Sequence, residues 1–379
     1  MSNQQHYHGE DGWSKISDYL NLIKADKVLL ITGNAMYQTS GAAQALEPIL
    51  RHRELTHLIC TKPNPCVEDL THLIEQTGSE RAYDAIIAVG GGSVIDLAKL
   101  LKAFSLNRSL VDDFFDQQNS ESLRPLSVPL IAVPSTAGSG SEATRFAVVY
   151  KDGQKQSVEH DDLLPDVSIV IPSLLASVPA RVAAASGMDA LCQGIESYWS
   201  IHSSDASRKL AGEAISIAWS WLVEAVHERT PKSLEQMAKA SHLAGRAINM
   251  TKTTAPHAVS YPMTSYFGIT HGHAVGLLTA RFLPFNAAVS EHDCLDERGP
   301  SWVRDKLDEI AEMLQADSVD SAAEALTTRL GQIGLETDWA RLGIKSKQDI
   351  KTITDHFDPA RAKNNPRAID KSALEQLIT

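Results

Sequence analysis

The stretch YDAIIAVGGGSVIDLAK, residues 83–99, decides the fold. Its first half is a short apolar run, and Tyr83–Val89 reads as a buried strand. Its second half, Val94–Phe104, has helical character. Between them lie Gly90, Gly91, Gly92 and Ser93. A strand that runs through glycines into a helix places free backbone N–H groups and the positive end of the helix dipole at one point. Such a turn is a cradle for phosphate. A tight strand-to-helix turn would use the same glycines for geometry alone.

Outward from this unit the same alternation repeats. Upstream, residues 14–24 predict a short amphipathic helix and Lys27–Thr32 a buried strand ending at Gly33. Ala42–Arg51 predicts a helix that Pro48 kinks or interrupts. Leu55–Cys60 is a second strand and Val67–Thr77 a helix. Downstream, Pro129–Val133 is a strand that opens into the polar turn PSTAGSGS, residues 134–141. Strands alternating with helices predict a mostly parallel sheet. Ligands of such sheets bind at the carboxyl ends of the strands. Two polar turns there, with the hydroxyls of Ser135, Thr136, Ser139 and Ser141, suit a dinucleotide; ordinary turn hydrogen bonding is the other use of those hydroxyls.

Beyond Pro179 strand signals almost vanish. Arg181–Ser200, Asp205–His227, Leu234–Met250, Trp302–Leu314, Ser321–Ile333 and Lys347–Phe357 all read as helices. We therefore expect an α/β domain over residues 1–178 and an all-helical domain over 179–379.

The helical half carries GMDALCQGIES, residues 187–197. Asp189 and Gln193, four residues apart, share a helix face. His257 and His271, with Pro262 and Gly268 between them, permit a short helix or turn and a return of the chain. Carboxylate, amide oxygen and two imidazoles suit Fe²⁺ or Zn²⁺ with a position open to substrate. Such an ion polarises a carbonyl. His273 is expected beside this cluster or exposed.

Composition excludes other classes. The chain has 379 residues and a formal net charge of −12 with dispersed Lys and Arg, which argues against nucleic-acid binding. Its four cysteines form no CxxC pair or disulfide framework. No run reaches the ~18 apolar residues of a membrane span. No secretory leader is visible, and a cytoplasmic protein is expected. His6 and His8 are expected in a frayed polar terminus.

Taken in order, GGGSVIDLAK (90–99), PSTAGSGSEATRF (134–146), GMDALCQGIES (187–197) and HAVSYPMTSYFGITHGHA (257–274) resemble the iron-containing, group III alcohol dehydrogenases. Asn64-Pro65 and AGRAINMTKT (244–253) fit as well. The resemblance implies a dehydroquinate-synthase-like fold, α/β plus all-α, with metal and nicotinamide in a cleft between the domains. It places the metal on Asp189, Gln193, His257 and His271, and nucleotide contacts on Gly33, Asn64, Gly91, Gly92, Ser93, Thr136, Ser139 and Lys155.

Three departures stand out. Gln193 occupies the place of the family's usual histidine. Gly33 lacks the aspartate that would repel a 2′-phosphate, which leans the cofactor to NADP(H) without excluding NAD(H). Tyr261 replaces a histidine of the family's proton relay; it either supplies a proton or lines the pocket. The Gln193 replacement, with the run 361–367, resembles a branch that includes the phosphonoacetaldehyde reductases. Lys252, Arg361, Lys363 and Arg367 are then candidates for an anionic tail. The expected partners are a small anionic aldehyde and further copies of the chain, as a homodimer. The rival readings are a dehydrogenase of uncharged short-chain alcohols or diols, a sugar-phosphate cyclase, and a non-catalytic self-associating protein.

Overall fold

The structure, a computed structural model, describes residues 4–62, 64–77, 83–104, 111, 114–115, 123 and 127–379. It forms two compact units, Met1–Val178 and Pro179–Thr379.

The first unit is built on a six-stranded parallel sheet. Its strands are β1 (Gln5–His8), β2 (Lys27–Gly33), β3 (Glu54–Cys60), β4 (Ala85–Gly90), β5 (Leu130–Pro134) and β8 (Val167–Val170), in the order β1-β8-β5-β4-β2-β3. A hairpin of β6 (Phe146–Lys151) and β7 (Gln154–Glu159) stands apart. The central strands are apolar on both faces, as a covered parallel sheet requires. Leu29, Ile31, Ile86 and Ala88 join the core under α4 (Val67–Thr77) and α5 (Gly92–Phe104). The alternate residues Val28, Leu30, Ile87 and Val89 join the core under α1 (Gly12–Leu22), α2 (Asn34–Thr39) and α3 (Ala42–Leu50). One-residue alternation thus feeds two cores.

From β2 the chain moves outward to β3, then crosses back and continues from β4 through β5 to β8. The winding reverses between β2 and β4, and ligands favour that point in open α/β sheets. Gly33 ends one of these strands and Gly90 the other.

Two expectations are corrected here. The N-terminus is not frayed: Gln5–His8 pairs in register with Val167–Val170. The apolar strand β8 supplies the backbone partners that a local reading of QHYH could not show. Pro48 lies inside α3 without ending it, since only the N–H of that residue is lost to the ladder. The hairpin is half polar, and its alternation falls below the threshold of a buried strand.

The second unit holds α6 (Ala180–Trp199), α7 (Asp205–His227), α8 (Pro231–Thr251), α9 (Ala255–Phe267), α10 (His271–Ala287), α11 (Pro300–Met313), α12 (Val319–Gln332), α13 (Lys347–Asp355) and α14 (Lys371–Ile378). Helix α6 is buried along most of its length and packs against α7, α8 and α10. The short helix or turn expected between His257 and His271 is instead a full helix, α9, closed by Gly268 at φ +67. Among the described residues, no helix is long and apolar enough to cross a membrane.

Candidate active site

In the first unit, parallel register sets the two polar turns side by side: Gly90 pairs with Pro134, and Ser135 N–H donates to Gly90 O at 2.9 Å. The turns then touch. A Cβ on Gly92 would lie 2.5 Å from Ser139 Oγ, and one on Gly91 would lie 3.3 Å from Thr136 Oγ1. Glycine at 92 is therefore what lets the second turn close over the start of α5. The buried Ser135 Oγ has no hydrogen-bond partner among the described residues. Asn64 N–H donates to Ser93 Oγ at 3.2 Å, with Asn64 in the left-handed region at φ +56. Tyr150 N–H donates to Pro65 O at 3.0 Å, and Tyr150 is the cross-strand partner of Lys155. The first unit thus gathers Asn64, the two glycine turns and the Lys155 hairpin. Gly33 adjoins them: a Cβ there would meet Val94 Cγ2 at an ordinary 3.8 Å, so a side chain has room.

Ser141, expected among the ligand hydroxyls, faces inward instead. Its Oγ donates to Asp96 and accepts from Lys99 Nζ at 2.9 Å. Lys99 also donates to Thr144 Oγ1 at 3.0 Å and to Phe146 O at 2.9 Å, while Asp96 accepts from Val148 N–H at 3.1 Å. Burial pushes the Asp96 carboxyl up and the Lys99 ammonium down, to about 8. This pair fastens the second turn and the hairpin to α5. Spacing along α5 gave no sign of it, because the partners lie over forty residues away.

In the second unit, Asp189 and Gln193 share a face of α6, with Gln193 Nε2 donating to Asp189 Oδ2 at 3.2 Å. His257 lies in the first turn of α9, and His271 is the first residue of α10. Gly272 permits the approach. A Cβ there would lie 2.0 Å from Ala185 O and 2.8 Å from Asp189 Cβ, so α10 presses directly on α6 beside Asp189. His257 Nε2 is 3.3 Å and His271 Nε2 3.9 Å from Asp189 Oδ1. One ligand atom from each of Asp189, His257 and His271 falls within 4.8 Å of the others.

The far side of each ring is tied. His257 Nδ1 donates to Glu196 Oε1, whose carboxylate also accepts from Thr254 N–H at 2.7 Å and Thr254 Oγ1 at 2.8 Å. Ser260 Oγ donates to His257 O at 2.7 Å, so its oxygen accepts from His271 Nδ1 at 3.2 Å. Both rings are thereby set to present Nε2 as a lone pair toward a carboxylate. Buried His257 Nε2 has no hydrogen-bond partner among the described residues. A lone pair facing a carboxylate oxygen is stable only with a cation between them. With a proton as that cation, burial works to lower the His257 pKa, but Glu196 and Asp189 outweigh it and raise the ring to about 10. A divalent ion answers the same need, and carboxylate, imidazole and amide oxygen form a fitting donor set. With its NH₂ donated to Asp189, the Gln193 amide has oxygen as its donor to a cation.

Glu196 escaped the sequence reading, although its spacing was a usable signal: it lies seven residues after Asp189 and three after Gln193, on the same face of α6. Ser260 and Gly272 carried no comparable local signal. His273 is not exposed; it is buried and bonded through Nε2 to Glu336 O at 2.6 Å. Tyr261 stacks on His271 with ring centroids 5.9 Å apart, and the Arg361 guanidinium lies 5.4 Å over the Tyr261 ring. Lys252 and Lys363 are exposed. Arg367 is committed to the fold and not to a ligand: Nε donates to Asp293 Oδ2 and Nη1 to Phe285 O, both at 2.7 Å, with the guanidinium over the Phe285 ring.

Comparison with known proteins accounts for both units. The family model "Iron-containing alcohol dehydrogenase" matches residues 3–172, and "Fe-containing alcohol dehydrogenase family, C-terminal" matches residues 183–379. A phosphonoacetaldehyde reductase of Streptomyces viridochromogenes is 33% identical over 86% of this chain and 83% of its own length. A long-chain-alcohol dehydrogenase of Geobacillus thermodenitrificans is 32% identical over 75% and 72%. Among solved structures, sulfoacetaldehyde reductase from Bifidobacterium kashiwanohense in complex with NAD⁺ superimposes with a TM-score of 0.87 at 27% identity, over all of this chain and 96% of that one. The chain belongs to the iron-containing alcohol dehydrogenase family, and is an NAD(P)-linked alcohol dehydrogenase or aldehyde reductase.

Proposed function

We propose that the chain reduces a small anionic aldehyde with NAD(P)H, and that the leading reaction is phosphonoacetaldehyde to 2-hydroxyethylphosphonate. The observation that carries the metal-dependent part is the pair of imidazoles tied back at Nδ1 and aimed through Nε2 at Asp189. Asp189, Gln193, His257 and His271 would hold Fe²⁺, with Zn²⁺ as the alternative. A divalent ion there supplies Lewis-acid polarisation of the aldehyde carbonyl. The aldehyde gains hydride from the reduced nicotinamide and one proton from water or a protein hydroxyl, giving the alcohol and oxidised cofactor. Glu196 and Ser260 hold the ring tautomers, so little reorganisation is needed when negative charge develops on oxygen. In the first unit, the N–H groups at the start of α5 and the hydroxyls of Ser93, Thr136 and Ser139 bind the cofactor's phosphates.

NADP(H) is the favoured cofactor, because position 33 has space for an acidic side chain yet carries none. The substrate reading is supported by the phosphonoacetaldehyde reductase among the relatives and the sulfoacetaldehyde reductase among the structures. The long-chain-alcohol dehydrogenase relative supports a second reading, an uncharged alcohol. Measuring kcat/KM for phosphonoacetaldehyde and for an uncharged aldehyde of similar size, with NADPH and with NADH, separates them. The proposal expects at least about a 100-fold preference for the charged aldehyde, the scale of charged hydrogen bonds. Equal values would overturn the substrate assignment.

A further inference from the structure

We infer that Arg361, held over the ring of Tyr261, is the residue that recognises the anionic tail of the substrate, and that Tyr261 serves as its platform. The inference rests on the functional reading above and selects one cation from the four that the sequence suggested. The selecting observation is a column inside the second unit. Arg361 lies 5.4 Å over the Tyr261 ring, and Tyr261 stacks at 5.9 Å and 20° on His271. His271 is in turn one of the three residues gathered around the metal position. A continuous contact path therefore leads from the ligand cluster to one guanidinium.

Burial grades along that path. Asp189 and His257 are buried, whereas the side chains of His271 and Arg361 are each 32% exposed. The cluster thus opens on the side of His271, where Tyr261 and Arg361 stand. A molecule entering by that face meets the guanidinium before the buried carboxylate. Asp358 Oδ2 lies 3.6 Å from Arg361 Nε and steadies the side chain from its own turn. The tyrosine face adds a cation–π attraction that holds the guanidinium beside the opening.

Charge fits this assignment: a divalent ion offsets Asp189 and Glu196, leaving the tail to a separate cation. A guanidinium fork can grip phosphonate or sulfonate through two parallel hydrogen bonds. Arg367 is the weaker candidate, since its Nε and Nη1 already donate to Asp293 and Phe285 O.

The test compares wild type, Arg361→Gln, Arg361→Lys, Tyr261→Phe and Tyr261→Leu after Fe²⁺ loading, with metal content measured for each. The readout is the ratio of kcat/KM for phosphonoacetaldehyde to that for an uncharged two- or three-carbon aldehyde. Calorimetric binding of 2-hydroxyethylphosphonate gives a second readout that does not depend on turnover. Arg361→Gln should lower the ratio about 100-fold and weaken product binding by at least about 10-fold. Arg361→Lys should fall between, keeping charge without the fork. Tyr261→Phe, which keeps the platform, should keep the ratio, while Tyr261→Leu should lower it about 10-fold. An unchanged ratio in Arg361→Gln, with wild type still preferring the charged aldehyde, overturns this inference and leaves the functional reading standing. An unchanged ratio in Tyr261→Leu, with metal content intact, overturns the platform role. No preference in wild type itself overturns the functional reading, and the inference with it.

Discussion

The glycine turns and the metal cluster solve opposite problems. The turns of the first unit present backbone: Gly91 and Gly92 lie where a Cβ would strike Thr136 or Ser139, and their use is to let N–H groups approach a ligand. The cluster of the second unit presents side chains whose charges are costly to bury. Asp189, Glu196 and His257 are all under 10% exposed and are tolerable together only with a cation among them. A backbone cradle degrades gradually when its fit is altered. A buried charge cluster fails abruptly when one member is removed.

The contrast is sharpest at Asp189. Asp189→Ala should abolish metal retention and lower kcat/KM on the order of 1,000-fold, while cofactor binding by the first unit persists. Metal analysis beside fluorescence titration with NADPH reads both at once. Glu196→Gln keeps shape but removes the charge behind His257, and metal affinity should drop about 10–100-fold. Competition with a chromogenic chelator measures it; unchanged affinity would show that Thr254 alone anchors the carboxylate's neighbourhood.

On the backbone side effects should be smaller. Gly33→Asp should shift the NADPH-to-NADH preference about 30-fold toward NADH by placing a carboxylate at the ribose. A shift toward NADPH would sink the ribose assignment. Gly92→Ala should raise the cofactor KM about 10-fold through the clash with Ser139 and leave metal content intact. If metal is lost as well, the two regions are not independent.

The smallest expected effect concerns Arg367. Burial opposes ionisation of Asp293, but the Ser290 N–H and Arg367 outweigh it and hold the carboxyl at about 2, below its ordinary 3.8. A depressed carboxyl contributes stability that is full above pH 3.8 and fades as pH falls toward 2. Arg367→Gln should therefore lower Tm slightly at pH 7 and flatten the acid limb between about pH 4 and 2. An unchanged acid limb would return Arg367 to the list of substrate candidates.

The same contrast explains what was legible in the sequence. Fold class could be read because the deciding signals are local: Ala85–Val89 is apolar throughout, glycines follow at once, and a helical run begins. Asp189 and Gln193 could be paired because an i,i+4 spacing is a fixed distance on a helix. The edge strand Gln5–His8 was not legible, since its order comes from β8, over 150 residues away. Nor was the inward turn of Ser141, which depends on Asp96 and Lys99, or the fate of Arg367, which depends on Asp293. Gly272 was hidden for a related reason. A small residue beside a ligand matters only when another helix is known to press on it.

The most direct test of the account is a metal titration of chelator-treated protein. Fe²⁺ or Zn²⁺ is added stepwise, and reduction of phosphonoacetaldehyde is followed by NADPH oxidation. The account predicts that activity is negligible without metal, rises in proportion to bound ion and saturates at one ion per chain, with no such rise in Asp189→Ala. Full activity in protein shown to be metal-free would contradict it.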